Sequence, residues 1–334
     1  MESLDLRVLE DALAWREAGS GVTLVTVVET WGSAPRPPGA LLAVRADGVV
    51  SGSVSGGCVE DDLIARIKAG EQQDQSRPCM LAYGVTKEEA SRFGLPCGGT
   101  LRLVQEPLID VSWVREVLRR TAVHELVARH LTLATGAVRL QDAQRGQTLQ
   151  FDGSTLTTFF GPRWRLLLIG AGQLSQAVAR MAQALDFEVL VCDPRDEYAA
   201  TLRIDGVTRV LGMPDDVVQQ LQPDAHTAIV ALTHDPKLDD MALMEALNSD
   251  AFYVGALGSR RNQHTRKLRL AEHFGMSEQA LSRLHGPVGL RIGAKTPAEI
   301  AVSIVAQIVQ VKNQGDAPVA ASETSQTLSV SSPA

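Results

Sequence analysis

Leu166-Leu-Leu-Ile-Gly-Ala-Gly-Gln-Leu-Ser175 runs from an apolar strand through a glycine turn into a helix, and Glu188-Val-Leu-Val-Cys-Asp193 follows as a second strand. With a helical stretch over 174–185 between them, the two segments form a βαβ unit. Asp193 stands 23 residues after Gly170, the spacing of a dinucleotide site. There the first glycine makes the turn, Gly172 admits a pyrophosphate to the helix N-terminus, and the acid takes a ribose hydroxyl. Ser175 replaces the third glycine with another small residue. The same glycines also suit a scaffold in which they serve only helix–strand packing. Weaker repeats predict strands at 207–211, 227–232 and 252–255, with helices near 213–221, 238–247, 261–274 and 297–313. Residues 163–313 are therefore expected to form a Rossmann-like, doubly wound parallel sheet, and the tail at 314–334, rich in Ala, Ser, Thr and Pro, to be disordered.

Upstream the texture differs. Residues 4–18 read as an amphipathic helix, Val22–Val28 as a buried strand, and Leu41–Arg45 and Val49–Val54 as strands joined at Ala46-Asp47-Gly48. Apolar residues at 59, 63, 64 and 67 give Val59–Lys68 a helical face, and 79–83 and 100–105 are further strands. Residues 1–107 thus predict a small α+β domain. The stretch 108–162 reads as a connector, with a helix over 111–130 and short strands within 131–158.

The 334 residues carry 32 Lys and Arg against 39 Asp and Glu, a formal charge of −7. No basic stripe is available to neutralise phosphates, so a duplex nucleic-acid partner is not expected. No apolar run approaches the roughly 20 residues that span a bilayer, and the first residues lack a signal-peptide pattern. The expected location is the cytoplasm. Cys58, Cys79, Cys97 and Cys192 form no CxxC pair and read as thiols. Cys79 and Cys192, among apolar strand neighbours, are assigned to core packing.

Three further constellations carry chemistry. In Ser55-Gly-Gly-Cys-Val-Glu60, glycines lead directly into a helix, so amides face an anion and Cys58 sits where the helix dipole favours a thiolate. Glu60, Asp61 and Asp62 would compete with that anion if they faced it, or would stabilise the first helical turn. A small buried cysteine behind a tight turn fits the same pattern. Pro96-Cys97-Gly98-Gly99 repeats the texture, and two such cysteines point to a soft ligand site. His234 and Asp235 follow a strand at the carboxyl edge of the sheet, as a ligand edge or as an Asx turn before Pro236. Gly258, Ser259, Arg260 and Arg261 also follow a strand and open a helix, offering an anion site or two solvated arginines. The seven histidines show no HExxH pattern, which argues against a zinc site of that type.

Five stretches together resemble the XdhC/CoxI family: Gly32-Ser-Ala-Pro-Arg-Pro-Pro-Gly-Ala40, Gly52-Ser-Val-Ser-Gly-Gly-Cys-Val-Glu60, Phe93-Gly-Leu-Pro-Cys-Gly-Gly99, Gly255-Ala-Leu-Gly-Ser-Arg-Arg261 and the run Gly286–Ile304. The resemblance implies an N-terminal XdhC/CoxI domain followed by a Rossmann domain. It implies a cytoplasmic maturation factor that binds molybdenum cofactor (molybdopterin), protects or assists its sulfuration, and hands it to a xanthine dehydrogenase-type apoenzyme. A cysteine desulfurase or sulfurtransferase and a second copy of the chain are the other implied partners. Carried to matching positions, Cys58 and Cys97 are the thiols nearest the metal. The chain departs from the family pattern at Arg291, where relatives carry Asp, and at Gln173, where many carry His, so neither role is transferred.

These readings converge on a chaperone rather than an enzyme. Ser55, Gly56, Gly57 and Gly98 are expected to hold the pterin phosphate beside Cys58 and Cys97, with Gly170, Gly172, Ser175, Asp193, His234, Ser259, Arg260 and Arg261 as a further cofactor or nucleotide site. The alternative is an NAD(P)-dependent oxidoreductase built on Gly170, Gly172, Ser175 and Asp193, for which no acid or base is evident from spacing. A docking module without its own cofactor is the third.

Overall fold

The computed structural model describes residues 4–31, 36–70, 77–84, 100–199 and 203–315. Its first layer contains α1 (Leu4–Glu17), β1 (Val22–Thr30), β2 (Leu41–Arg45), β3 (Val50–Gly52), α2 (Cys58–Lys68), β4 (Cys79–Tyr83) and β5 (Leu101–Pro107). The five strands pair antiparallel in the order β3-β2-β1-β5-β4. β1 is apolar on both faces because both faces are covered. Leu24 packs with Leu6 and Leu9 of α1 on one side, and Val25 and Val27 pack with Val59 and Leu63 of α2 on the other.

The connector segment contains α3 (Ser112–Ala122), β6 (Val127–Thr132), β7 (Val138–Asp142), β8 (Gln150–Phe151) and β9 (Thr155–Phe160). Its strands form a separate antiparallel sheet in the order β7-β6-β9-β8. The helix expected over 111–130 stops at Ala122, and the chain reverses through His124, whose φ is 63°. Pairing of β6 with β7 and β9 along its whole length outweighs helical periodicity there. Val104, Leu131 and Leu156 close the seam between this sheet and β5.

The third layer contains β10 (Arg165–Ile169), α4 (Gln173–Ala184), β11 (Glu188–Cys192), α5 (Asp196–Ala199), β12 (Thr208–Val210), α6 (Pro214–Leu221), β13 (Thr227–Ala231), α7 (Pro236–Asn248), β14 (Tyr253–Ala256), α8 (Arg260–Phe274), α9 (Glu278–Ser282), β15 (Leu284–His285) and α10 (Pro297–Gly315). All six strands are parallel, in the order β12-β11-β10-β13-β14-β15. Leu166, Leu168 and Val230 face α4 and α10, whereas Leu167, Ile169 and Ile229 face the helices of the opposite side. Burial on both faces explains the unbroken apolar run of β10. The order reverses between β10 and β13, so a crevice opens at the carboxyl ends of those strands. The expected tail lies, from residue 316 on, outside the described residues.

A buried ion pair joins the first two layers. Arg129 of β6 donates to Glu106 of β5 at 2.5 Å, its guanidinium lies 3.9 Å from the Trp113 ring centre, and both charged side chains are nearly inaccessible. Removing one partner leaves the other buried and uncompensated. Arg129→Met is therefore expected to cost about 3–5 kcal/mol, and the Arg129→Met/Glu106→Gln pair less than the single change. Urea unfolding of the three proteins checks this; equal losses in the single and double variants would remove the pair as the cause.

Candidate functional site

The loop that leads into α2 is organised by one carboxylate. Gly56 and Gly57 take φ values of 88° and 149°, a region open to glycine, and this turns the loop amides inward. Glu60 reaches back from the first turn of α2 to meet them. Its Oε1 accepts from Val54 N and Ser55 N, both at 2.8 Å, from Gly56 N at 3.1 Å and from the Ser53 hydroxyl at 2.7 Å. Its Oε2 accepts from Gly57 N at 2.9 Å and from the Ser55 hydroxyl. The amides of Ser55, Gly56 and Gly57, three of the groups expected to hold a pterin phosphate, are thus occupied by the chain's own side chain. Of the neighbouring acids, Asp61 is exposed and Asp62 accepts from the Tyr83 hydroxyl at 2.9 Å.

Burial alone would raise the Glu60 carboxyl, but the hydrogen bonds from Ser55, Ser53 and the loop amides outweigh it and hold the group down to about 2. Cys58 is the first residue of α2. Cys97, Gly98 and the Cys58 side chain lie outside the described residues. Among the described residues, no group of three or more His, Cys, Asp or Glu is arranged to hold a metal. Cys192 is buried in strand β11, where burial pushes its thiol up to about 12. Cys79 is half-buried in β4 and its thiol is raised for the same reason.

The crevice of the parallel sheet gathers most of the other expected residues. Gly170 has φ 109°, and a Cβ there would lie 3.2 Å from Thr233 N, so the turn fits only by close approach to the end of β13. Gly172 caps α4, and beyond its own chain neighbours no heavy atom lies within 4 Å of where its Cβ would stand. That face is open to a ligand at the head of a helix. Ser175 is buried, as a residue substituting for a packing glycine should be.

Asp193 does not face the crevice as a ribose ligand. Its side chain is 0% exposed. Oδ2 accepts from Ala171 N and Arg195 Nη2, each at 2.9 Å, and Oδ1 accepts from Arg195 Nε at 2.9 Å and Arg195 N at 3.1 Å. The expected acid is instead the counter-ion of an arginine that spacing alone did not bring into view.

His234 is exposed with φ 64°, and Asp235 caps α7 by accepting from Lys237 N at 2.9 Å. Ser259 caps α8 by accepting from Asn262 N at 3.1 Å, while Arg260 and Arg261 are exposed. His234, Gly258 and Arg261 line a cleft of 260 Å³ with Arg266 and Arg269 in its wall. Sequence reasoning missed what fixes that wall. Arg266 bonds Asp239 at 3.0 Å and Asp240 at 3.1 Å, and Arg269 bonds Asp240 at 2.7 Å. The adjacent acids at the start of α7 and the arginines three apart on α8 were the available signal. The cleft presents Arg261 as an exposed cation beside Arg266 and Arg269, whose charges Asp239 and Asp240 offset, and the acid expected for a ribose diol is engaged by Arg195.

No helix among the described residues is long and apolar enough to cross a membrane. A family model described as "XdhC and CoxI family" matches residues 15–84, and one described as "XdhC Rossmann domain" matches 166–308. The chain is 31% identical over 317 residues to a probable xanthine dehydrogenase subunit of Bacillus subtilis, covering 87% of this chain and 93% of that one. It is 31% identical over 311 residues to "Molybdenum cofactor insertion chaperone PaoD" of Escherichia coli, covering 91% and 88%. A crystal structure described as a xanthine dehydrogenase from Bacillus halodurans shares the fold, with a TM-score of 0.75 at 24% identity over 94% of this chain and 96% of that one.

The Glu60 clasp has a pH signature. A carboxyl held at about 2 in the fold, against an ordinary value of 4.5, adds stability above the ordinary range and loses it as pH falls from about 4.5 to about 2. Glu60→Gln is expected to lower stability at neutral pH by about 2 kcal/mol and to flatten the acid slope in that window. Thermal melts of both proteins from pH 2 to pH 7 test it; parallel curves would remove Glu60 as the titrating group.

Proposed function

This chain belongs to the XdhC and CoxI family, and on that premise we propose that it is a molybdenum cofactor chaperone. It binds the cofactor, protects it or assists its sulfuration, and inserts it into a xanthine dehydrogenase-type apoenzyme. The names of its relatives, an insertion chaperone and a component of xanthine dehydrogenase, support this role. The observation that carries it in this molecule is the open face of Gly172 at the head of α4, beside a cationic cleft at the same sheet edge.

The cofactor is cargo, and its terminal phosphate matches bare amides at a helix start better than any neutral group does. Gly170 and Ser175 shape that turn. His234, Arg260 and Arg261 supply positive charge or hydrogen bonds to the anionic end, while Ser259 holds the start of α8. Ser55, Gly56 and Gly57 act differently from a phosphate cradle. Clasped by Glu60, they fix the first turn of α2 and with it Cys58. The Cys58 and Cys97 thiols, with Gly98 allowing close approach, serve the soft metal or its sulfido ligand. The sulfur donor is a cysteine desulfurase or sulfurtransferase, the exchange takes place in the cytoplasm, and the working unit is a homodimer. In its NAD-dependent form, the oxidoreductase alternative loses its ribose acid to Arg195.

Anaerobic gel filtration with purified molybdenum cofactor, followed by quantification of molybdenum and pterin, tests the proposal. Stoichiometric retention by the wild type and at least about tenfold weaker retention by Cys58→Ala are expected. Gly172→Leu tests the phosphate position, because φ at that residue is −68° and the added side chain enters open space. Its melting temperature should stay near that of the wild type while retention falls. No retention by folded wild type would overturn the chaperone reading; full retention by folded Cys58→Ala would overturn only the thiol assignment.

A further inference from the structure

The Asp193–Arg195 fork stands where an open parallel sheet of this strand order normally reads a nucleotide's ribose. Three observations define what that position can recognise. The first is that the Asp193 carboxylate is withdrawn: its side chain is fully buried and both oxygens are occupied by Arg195 and Ala171. A ribose diol therefore meets no acid there.

The second is the geometry of the guanidinium. Arg195 uses one hydrogen on Nε and one on Nη2 for Asp193. The edge formed by Nη1 and the other Nη2 hydrogen lies outside that fork, and it has the spacing that accepts two phosphate oxygens. The side chain remains 26% exposed. The third is its rigidity. The guanidinium lies 4.1 Å from the Tyr198 ring centre and its own amide also bonds Asp193, at 3.1 Å, so little freedom is lost when a ligand engages it.

Two further acids among the described residues lie near it or on the helix that follows it. Asp235 acts on Arg195 from the end of β13, but its Oδ1 accepts from Lys237 N at the cap of α7. Asp196, on the short helix that follows Arg195, is 3.7 Å from Arg209.

We infer that Arg195 makes this crevice selective for nucleotides whose ribose carries a phosphate, and against those that present a free ribose diol. Asp193 is the positioning residue for that guanidinium. The inference stands apart from cofactor delivery, since simple adenosine phosphates report on the ribose position alone.

Isothermal titration of the full chain with adenosine 5′-monophosphate, adenosine 2′,5′-bisphosphate and adenosine 3′,5′-bisphosphate tests it. At least one bisphosphate should bind about tenfold or more tightly than the monophosphate, and the better isomer identifies the phosphate position. Arg195→Ala should abolish that ratio and leave monophosphate binding equal or stronger, because Asp193 is released toward the diol. A purely structural arginine would weaken all three ligands alike. Arg195→Lys keeps the charge without the fork and should retain part of the ratio, so the inference remains open to test if the alanine variant fails to fold. Wild type that binds the monophosphate as tightly as both bisphosphates, or binds none of them, overturns the inference. So does a ratio that persists in folded Arg195→Ala.

Discussion

A backbone amide left bare at the start of a helix needs an acceptor, and in two glycine turns of this chain a carboxylate from the same chain supplies one. Glu60 gathers the amides of Val54, Ser55, Gly56 and Gly57 ahead of α2, and Asp193 takes the amide of Ala171 ahead of α4. The two clasps differ in what they leave open. Glu60 closes its loop completely around itself, whereas Asp193 holds only the flank of its turn and leaves Gly172 facing open space. The first loop is therefore a mount for the residue that follows it, and the second keeps an open face at the head of α4. Both depend on charge-assisted hydrogen bonds kept from water, which are stronger than neutral ones.

The parallel sheet was legible because its signals are redundant. An apolar run buried on both faces, a glycine turn and an acid at the end of the next strand all agree with the six-stranded order. The middle sheet was legible only in part: short strands were expected within 131–158, but β6 read as the end of a helix, and the threonines and charged residues give no sustained alternation; β7 is half exposed along its length. What fixes it lies far away in sequence, as in the Arg129–Glu106 pair between strands of two sheets.

At the sites, residue types were readable but directions were not. Spacing placed Asp193 at the correct strand end, yet whether it looks into the crevice or back at Arg195 depends on side-chain torsions that no spacing encodes. Glu60 shows the same limit. Its position marks it as a competitor for the loop anion, and the geometry makes it the occupant. The Asp239–Asp240–Arg266–Arg269 cluster joins two helices through tertiary contact alone.

The middle layer meets the parallel sheet at the edge opposite the crevice. His124 pairs with Asp224 at 2.8 Å and Arg145 donates to Ala225 O at 2.7 Å, both just ahead of β13, and Arg145 also lies over Trp164, just ahead of β10. These are the amino ends of the two strands whose carboxyl ends frame Gly170 and His234. A ligand seated at the carboxyl ends, as the proposed function has it, would consequently enter and leave without parting the layers. Its residence time would then be set by the contacts it makes at the rim, and a receiving protein that copied those contacts would draw it off while the scaffold beneath stayed still.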